Sequence, residues 1–147
     1  MTRPCDEPES IFSKLHSALI GETNESFSDK VLTLAYEPRH VGEMDEPDAV
    51  GHCRGSCGDS MTIFLKIMDD RIEQASFLTD GCGATLACGS AVTSLALGKT
   101  RVQAMRIHPQ HIIIELDGLP PSHTHCAVLA AQCLKQAIEN WPQNNGS

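Results

Sequence analysis

The stretch Ser60-Met61-Thr62-Ile63-Phe64-Leu65-Lys66-Ile67-Met68-Asp69-Asp70-Arg71-Ile72-Glu73-Gln74-Ala75-Ser76-Phe77-Leu78-Thr79-Asp80-Gly81-Cys82-Gly83 decides the fold. Its first half alternates, with Met61, Ile63, Leu65 and Ile67 on one side and Thr62, Lys66 and Met68 among those on the other. Successive strand side chains point to opposite faces, so a period of two predicts a half-buried strand. After the acidic turn Asp69-Asp70, a second run carries Ile72, Ala75, Phe77 and Thr79, with a slip in alternation at Ala75. Two such runs joined by a short polar turn predict an antiparallel hairpin. A hairpin sets the start of its first strand beside the end of its second. Cys57, in Ser56-Cys57-Gly58-Asp59, is therefore a predicted neighbour of Cys82, in Gly81-Cys82-Gly83.

Outward from the hairpin the period changes. Ala84 to Leu97 is rich in alanine and leucine, has no proline and stops at Gly98, which predicts a helix closed by glycine. A short helix is expected around Val102 to Ile107. In Pro109 to Leu116 three β-branched residues favour a strand and the leading proline favours a helix; we read it as helical. Leu119-Pro120-Pro121 cannot continue a helix and is expected to be extended. A long helix is predicted from Ser122 to Trp141, with Val128, Leu129, Leu134, Ala137, Ile138 and Trp141 on one broad face and Pro142 closing it.

Upstream, a helix from Ser26 or Ser28 runs through Val31, Leu32, Leu34 and Ala35 and ends before Pro38, because the residue preceding proline is pushed out of helical geometry. Arg39 to Gly51, with Gly42, Pro47, Gly51 and four carboxylates, reads as a loop. The expected organisation is an extension over 1–25, a domain over 26–142 and a disordered tail over 143–147. Within the extension, Ile11, Phe12, Leu15, Leu19 and Ile20 recur at helical spacing between Ser10 and Gly21 and predict one short amphipathic helix.

The chain has 147 residues, seven cysteines, seven histidines, and 11 basic against 19 acidic side chains, for a net charge of -8. A chain of this length buries roughly 68–70% of its unfolded surface, so it needs no disulfide staples. An odd number of cysteines cannot pair completely within one chain. Metal binding or thiol chemistry is the expectation. The longest aliphatic run is Ile112 to Ile114, far below the ~20 residues of a membrane helix. The polar, acidic start MTRPCDEPES carries no leader pattern, so a reducing cytoplasm is expected. The acidic balance and absence of a basic cluster argue against a nucleic-acid partner.

Three cysteines fall at the edges of predicted elements. Cys57 precedes the first strand, Cys82 follows the second, and Cys126 lies early in the last helix beside His125. Neighbouring glycines free the backbone for close approach, and the helix start after Cys82 should lower its thiol pKa. Three thiolates with either Asp59 or His125 would complete a tetrahedral site suited to zinc or an iron–sulfur cluster. On a regular helix His125 and Cys126 point apart, so both reach one metal only if the helix start is irregular. The separations, 25 residues from Cys57 to Cys82 and 44 from Cys82 to Cys126, are unlike the tight pairs of structural zinc modules. A site assembled from three distant segments points to function rather than to nucleation of the fold. Cys88 and Cys133 are expected to be packing thiols. Cys53, four residues before Cys57, is either a packing or a resolving thiol, and Cys5 is incidental.

From about Phe27 to Trp141 the sequence resembles the IscU-type iron–sulfur cluster assembly scaffolds, which also form the N-terminal part of NifU. The resemblance is carried by Tyr36-Glu37-Pro38-Arg39-His40-Val41-Gly42, Cys57-Gly58-Asp59, Phe77, Gly81-Cys82-Gly83, Gly98-Lys99, Leu119-Pro120-Pro121 and His125-Cys126. It implies an α+β fold in which helices, including a long C-terminal one, pack on a three-stranded antiparallel sheet. It implies Cys57, Cys82 and Cys126 as cluster ligands and sulfur acceptors, His125 as a further ligand and Asp59 as the residue that tunes release. The implied cargo is a transient [2Fe–2S] cluster built from iron and sulfur, and zinc is an expected occupant of the purified protein. The implied partners are a cysteine desulfurase, an iron or electron donor, apo iron–sulfur proteins, and a chaperone pair. The chaperone segment of the family corresponds here to Leu119-Pro120-Pro121, followed by Ser122-His123. Such a scaffold is not an enzyme. Two other classes use the same thiols: a zinc-binding structural or interaction domain, and a thiol redox or sulfur-transfer protein working through Cys53 and Cys57.

Overall fold

Asp69 and Asp70 adopt φ of +55° and +62°, the left-handed pair that lets a two-residue turn follow the twist of its strands. They join β2, Ser60–Met68, to β3, Arg71–Thr79. The computed structural model describes residues 27–56 and 58–142; the expected helix after Ser10, Cys57 and the tail 143–147 lie outside them. The strands pair antiparallel from Met61 opposite Thr79 to Met68 opposite Arg71. The register shifts where Lys66 faces Gln74 and Ile67 faces Ile72, leaving Glu73 unmatched. That bulge is the slip seen in the sequence: it brings Ile72 and Ala75, three apart, onto the buried face.

A third strand, β1, Ala49–Arg54, pairs antiparallel with the other edge of β2, giving the order β1-β2-β3. The loop read over Arg39 to Gly51 therefore ends at Asp48. Its strand was hidden because Gly51 and His52 blunt the alternation, although Ala49 and Gly51 face inward while His52 and Arg54 face out. The start of that loop, at His40 to Gly42, lies along the far edge of the sheet. Phe77 N–H donates to His40 O at 2.9 Å and Gly42 N–H to Phe77 O at 2.9 Å, so the open rim of β3 is covered.

Helix α1, Asp29–Tyr36, is capped by Ser28, whose hydroxyl accepts from Val31 N–H and donates to Leu116 O at 2.5 Å. Helix α2, Gly83–Ala96, starts at Cys82 and gives way to Gly98 at φ +79°. Helix α3, Arg101–Met105, carries a reciprocal cap between Thr100 and Gln103. The ambiguous isoleucine run is a helix, α4, Pro109–Glu115. Proline at the first helical position forfeits no bond, and one turn buries Ile112 while Ile114 stays exposed. The proline segment departs from its expectation. Pro120 is extended, but Pro121–His123 form one 3-10 turn leading into α5, Thr124–Glu139, which starts two residues later than read.

Helix α5 lies over β1 and β2, α2 packs on β3 and α5, and α1 closes over α2. Their shared core holds Phe77, Met61, Ile63, Leu65, Leu134 and Ile138. Two glycines set its spacing. A Cβ on Gly51 would stand 2.3 Å from Ala137 N and 2.5 Å from Cys133 O, and one on Gly89 would stand 2.3 Å from the Phe77 ring. The fold is thus α+β, a three-stranded antiparallel sheet carrying helices and a long C-terminal helix. Among the described residues no helix is long and apolar enough to cross a membrane.

Two outcomes are expected. Gly51→Ala meets α5 backbone that cannot swing aside, so it should cost about 3 kcal/mol in urea unfolding, at the upper end of overpacking effects. The second concerns the buried thiols. Burial pushes Cys133 up to about 12 and also raises Cys88. Folded protein then keeps protons that the unfolded chain releases above about pH 8.5, so stability falls as pH rises from there toward about 12. The slope should reach about 1.4 kcal/mol per pH unit for each thiol, and Cys133→Ala should make the measured fall shallower.

Candidate functional site

The end of the hairpin nearest Cys82 is tied by side chains. Thr79 Oγ1 donates to Ser60 O at 2.5 Å, Gly81 N–H donates to Thr79 Oγ1 at 3.1 Å, and Ser60 N–H donates to Asp80 Oδ1 at 2.8 Å. That last bond holds the Asp80 carboxyl below the usual carboxylate range. One residue earlier, Asp59 sits in the β1–β2 connection, where its carbonyl accepts from Gly55 N–H at 2.7 Å. Gly58, at φ +96°, takes a conformation that side chains disfavour. Asp59 and Cys82 thus come from opposite sides of one sheet end. Cys57 lies outside the described residues.

Cys82 is exposed at the start of α2, and Cys126 is buried near the start of α5. Between them stands Thr85, fully buried, with Oγ1 at 3.1 Å from Asp59 Oδ2, 3.4 Å from Cys126 Sγ and 3.8 Å from Cys82 Sγ. His125 is half-buried, with Nε2 at 3.7 Å from Cys126 Sγ. Both lie in the first turn of α5, directly after the 3-10 turn. Of the expected residues, the structure brings together Asp59, Cys82, Cys126 and His125. Among the described residues no three His, Cys, Asp or Glu side chains are set to hold a metal ion by themselves.

The two thiols divide their protons unequally. The Cys126 thiol hydrogen-bonds Cys82, and the backbone of Thr85 and Ala84 with the Thr85 hydroxyl adds to this, drawing Cys82 down to about 5 against the opposing effect of burial. Cys126 is pushed the other way, because it gives its hydrogen to Cys82 and is buried. An ionised sulfur therefore stands at the surface and a protonated one behind it. That is the chemistry of a nucleophile and of a soft metal ligand.

The satellite thiols play other parts. Cys88 is buried within α2 and Cys133 within α5, where its S–H donates to Met61 O at 3.2 Å and Gly51 O at 3.4 Å. Cys53 is half-buried on β1, with Cys133 and Glu139 as its electrostatic neighbours. Thr85 was not singled out in the sequence. Its signal was a polar residue on the inward side of an alanine-rich helix, three positions after Cys82. An apolar groove of about 350 Å³, lined by Leu95, Lys99, Gln103, Arg106, His111 and Ile114 among others, lies at the opposite end of α2. Fourteen helical residues put it roughly 20 Å from Cys82, apart from this chemistry.

Residues 26–147 match the family model described as the NifU-like N terminal domain. The chain is 41% identical over 121 residues to the iron–sulfur cluster assembly scaffold protein IscU 1 of Archaeoglobus fulgidus, spanning 82% of this chain and 79% of that one. It is 35% identical over 123 residues to the scaffold protein IscU of Aquifex aeolicus, spanning 82% and 78%. A solved structure described as a candidate SUF-system scaffold from Fervidobacterium islandicum AW-1 superposes with a TM-score of 0.64 at 21% identity, covering 76% of this chain and 96% of that chain. At that identity the likeness is one of fold.

The unequal protonation is directly measurable. In metal-free protein at about pH 6.5, iodoacetamide should label Cys82 before Cys53, Cys88, Cys126 and Cys133, because the thiolate is the reacting form. Cys126→Ala removes the hydrogen bond that lowers Cys82, so the pH midpoint of Cys82 labelling should move up toward ordinary thiols. Peptide mass mapping reads both; an unchanged midpoint would contradict the assignment.

Proposed function

The chain belongs to the family of NifU-like N-terminal domains, and from that premise we infer that it is a scaffold on which an iron–sulfur cluster is assembled and from which it is passed on. The observation that carries this reading is the convergence of Asp59, Cys82 and Cys126, from three distant segments, on the single buried hydroxyl of Thr85. Cys57, adjacent in sequence to Gly58-Asp59, is the third thiol of the proposed set. Sulfur-rich coordination with one oxygen or imidazole ligand suits an iron–sulfur cargo, and a harder ligand holds it less firmly than a fourth thiolate. Asp59 is the proposed release-tuning ligand and His125 the alternative.

Loading follows from the positions of the thiols. Cys82 is exposed and ionised, so it is the proposed acceptor of sulfur from a cysteine desulfurase. Its thiolate attacks the outer sulfur of the donor persulfide; a new S–S bond forms, the donor's S–S bond breaks, and the donor cysteine leaves as thiolate. Two electrons from an electron-donor partner then reduce that sulfur to sulfide, and ferrous iron enters on the thiolates. The cargo is a [2Fe–2S] cluster, zinc competes for the same sulfur-rich set, and apo iron–sulfur proteins are the recipients. A chaperone pair would engage the Leu119-Pro120-Pro121 turn, where Pro121 is the exposed member. The setting is a reducing one, the cytoplasm, and the chain holds and hands on a cargo rather than turning over a substrate.

Anaerobic incubation with ferrous iron, cysteine, a cysteine desulfurase and dithiothreitol as the electron source should give sulfide-to-iron charge-transfer absorption that fades when apo-ferredoxin is added. A colourless, iron-free product would overturn the scaffold reading, and stoichiometric zinc that resists exchange would favour a zinc-binding structural domain. Asp59→Ala should lengthen the lifetime of the loaded cluster, followed by the decay of that absorption in the presence of acceptor.

A further inference from the structure

Helix α2 contains two buried threonines on its inward side, and they use their hydroxyls differently. Thr93 Oγ1 donates back to Gly89 O at 2.7 Å and Ser90 O at 3.1 Å. This is the ordinary way a helical threonine satisfies itself. Thr85 is equally buried, yet the partners of its hydroxyl are Asp59 Oδ2, Cys126 Sγ and Cys82 Sγ. A buried hydroxyl requires a partner; this one finds it in side chains that reach it from the β1–β2 connection, from α5 and from its own helix start. A Cβ on Gly81 would lie 2.7 Å from both Cβ and Oγ1 of Thr85 and 2.8 Å from Asp59 Oδ2, so the bare Gly81 leaves the room in which Thr85 and Asp59 meet.

We propose that Thr85 is a positioning residue of the site: its hydroxyl is a hydrogen-bond donor shared by Asp59, Cys126 and Cys82 and sets their convergence on an incoming metal. The inference rests on reading these side chains as ligands, and it adds a group outside that ligand set. A threonine hydroxyl has one hydrogen to give, so the three acceptors share it in turn. Asp59 is the nearest, and a hydrogen bond to a carboxylate is the strongest of the three. Without that donor, the Asp59 carboxylate would lose its hydrogen-bond link to the sulfurs, which would keep only the Cys126–Cys82 contact between themselves. The carboxylate would move away, and metal binding would have to reassemble the set. Groups that orient metal ligands in this way typically account for 10–100-fold in affinity.

The test uses cobalt(II) alone, as a spectroscopic probe of thiolate coordination that involves neither sulfide nor partner proteins. Anaerobic titration of the metal-free full chain against a competing chelator gives a dissociation constant and a ligand-field spectrum. Thr85→Val should weaken cobalt binding roughly 10–100-fold and shift the ligand-field bands, while Thr85→Ser restores both. In an Asp59→Ala background the Thr85→Val loss should shrink, because one of the oriented groups is gone. Wild-type affinity and spectrum in Thr85→Val would overturn the proposal, as would an equal loss in Thr85→Ser, which would assign the effect to the methyl group. Thermal melts report folding of each variant, and Thr85→Ala against Thr85→Ser gives the same comparison if the valine variant does not fold. A wild-type chain with no thiolate–cobalt absorption would sink the ligand reading itself, a failure distinct from one confined to Thr85.

Discussion

Gly81 has no side chain, and the turn that follows β3 therefore lies directly against Thr85 of α2 and the carboxylate of Asp59, closer than any Cβ could stand. The rest of the site depends on that contact. It fixes how α2 leaves the sheet, which puts Cys82 at the rim and aims Thr85 inward. It also fixes how near the β1–β2 connection comes to the helix start. Helix α5, laid over β1 through the equally bare Gly51, then delivers Cys126 and His125 from the other side. Close backbone approach at two glycines converts a sheet and two helices into one convergent cluster.

Burial grades the chemistry of that cluster. Cys82, at the surface and beside the first N–H groups of α2, carries the charge. Cys126, behind it and buried, keeps its proton and gives the hydrogen bond. A sulfur-accepting scaffold needs this order, with a nucleophile that a partner can touch and a second thiol withheld until a metal displaces its proton. The same desolvation makes Cys88 and Cys133 inert. Their value is to packing, and in Cys133 to two carbonyls at the sheet that its S–H caps.

Much of the fold was legible because its signals are local. Alternation in Ser60–Met68 and Arg71–Thr79, the acidic turn between them, and the glycine after α2 each depend on neighbours in sequence. Even the bulge at Glu73 was visible as a three-residue gap between Ile72 and Ala75. Strand β1 was not, because its stability comes from pairing with β2 and from α5 packing over Gly51, neither of which leaves a periodic mark in Ala49–Arg54. The isoleucines of α4 were read as helical from their leading proline, and packing of Ile112 agrees with that proline against β-branched propensity. Leu119-Pro120-Pro121 yielded its extended half but not its 3-10 half, which proline permits as readily.

The sequence by itself determined the residue types of the site and which ends of elements carry them: Asp59 before a strand, Cys82 at a helix start, Cys126 beside His125. Those follow from side-chain chemistry and local periodicity, which a linear chain records. Only the tertiary structure decided that Cys82 would be drawn toward its ionised form and Cys126 away from it, that His125 would lie beside Cys126, and that Thr85 would stand among Asp59, Cys82 and Cys126. These depend on burial and on approach to hydrogen-bond distance between segments far apart in the chain. Desolvation and hydrogen-bond distance are properties of packing, and packing has no one-residue signature.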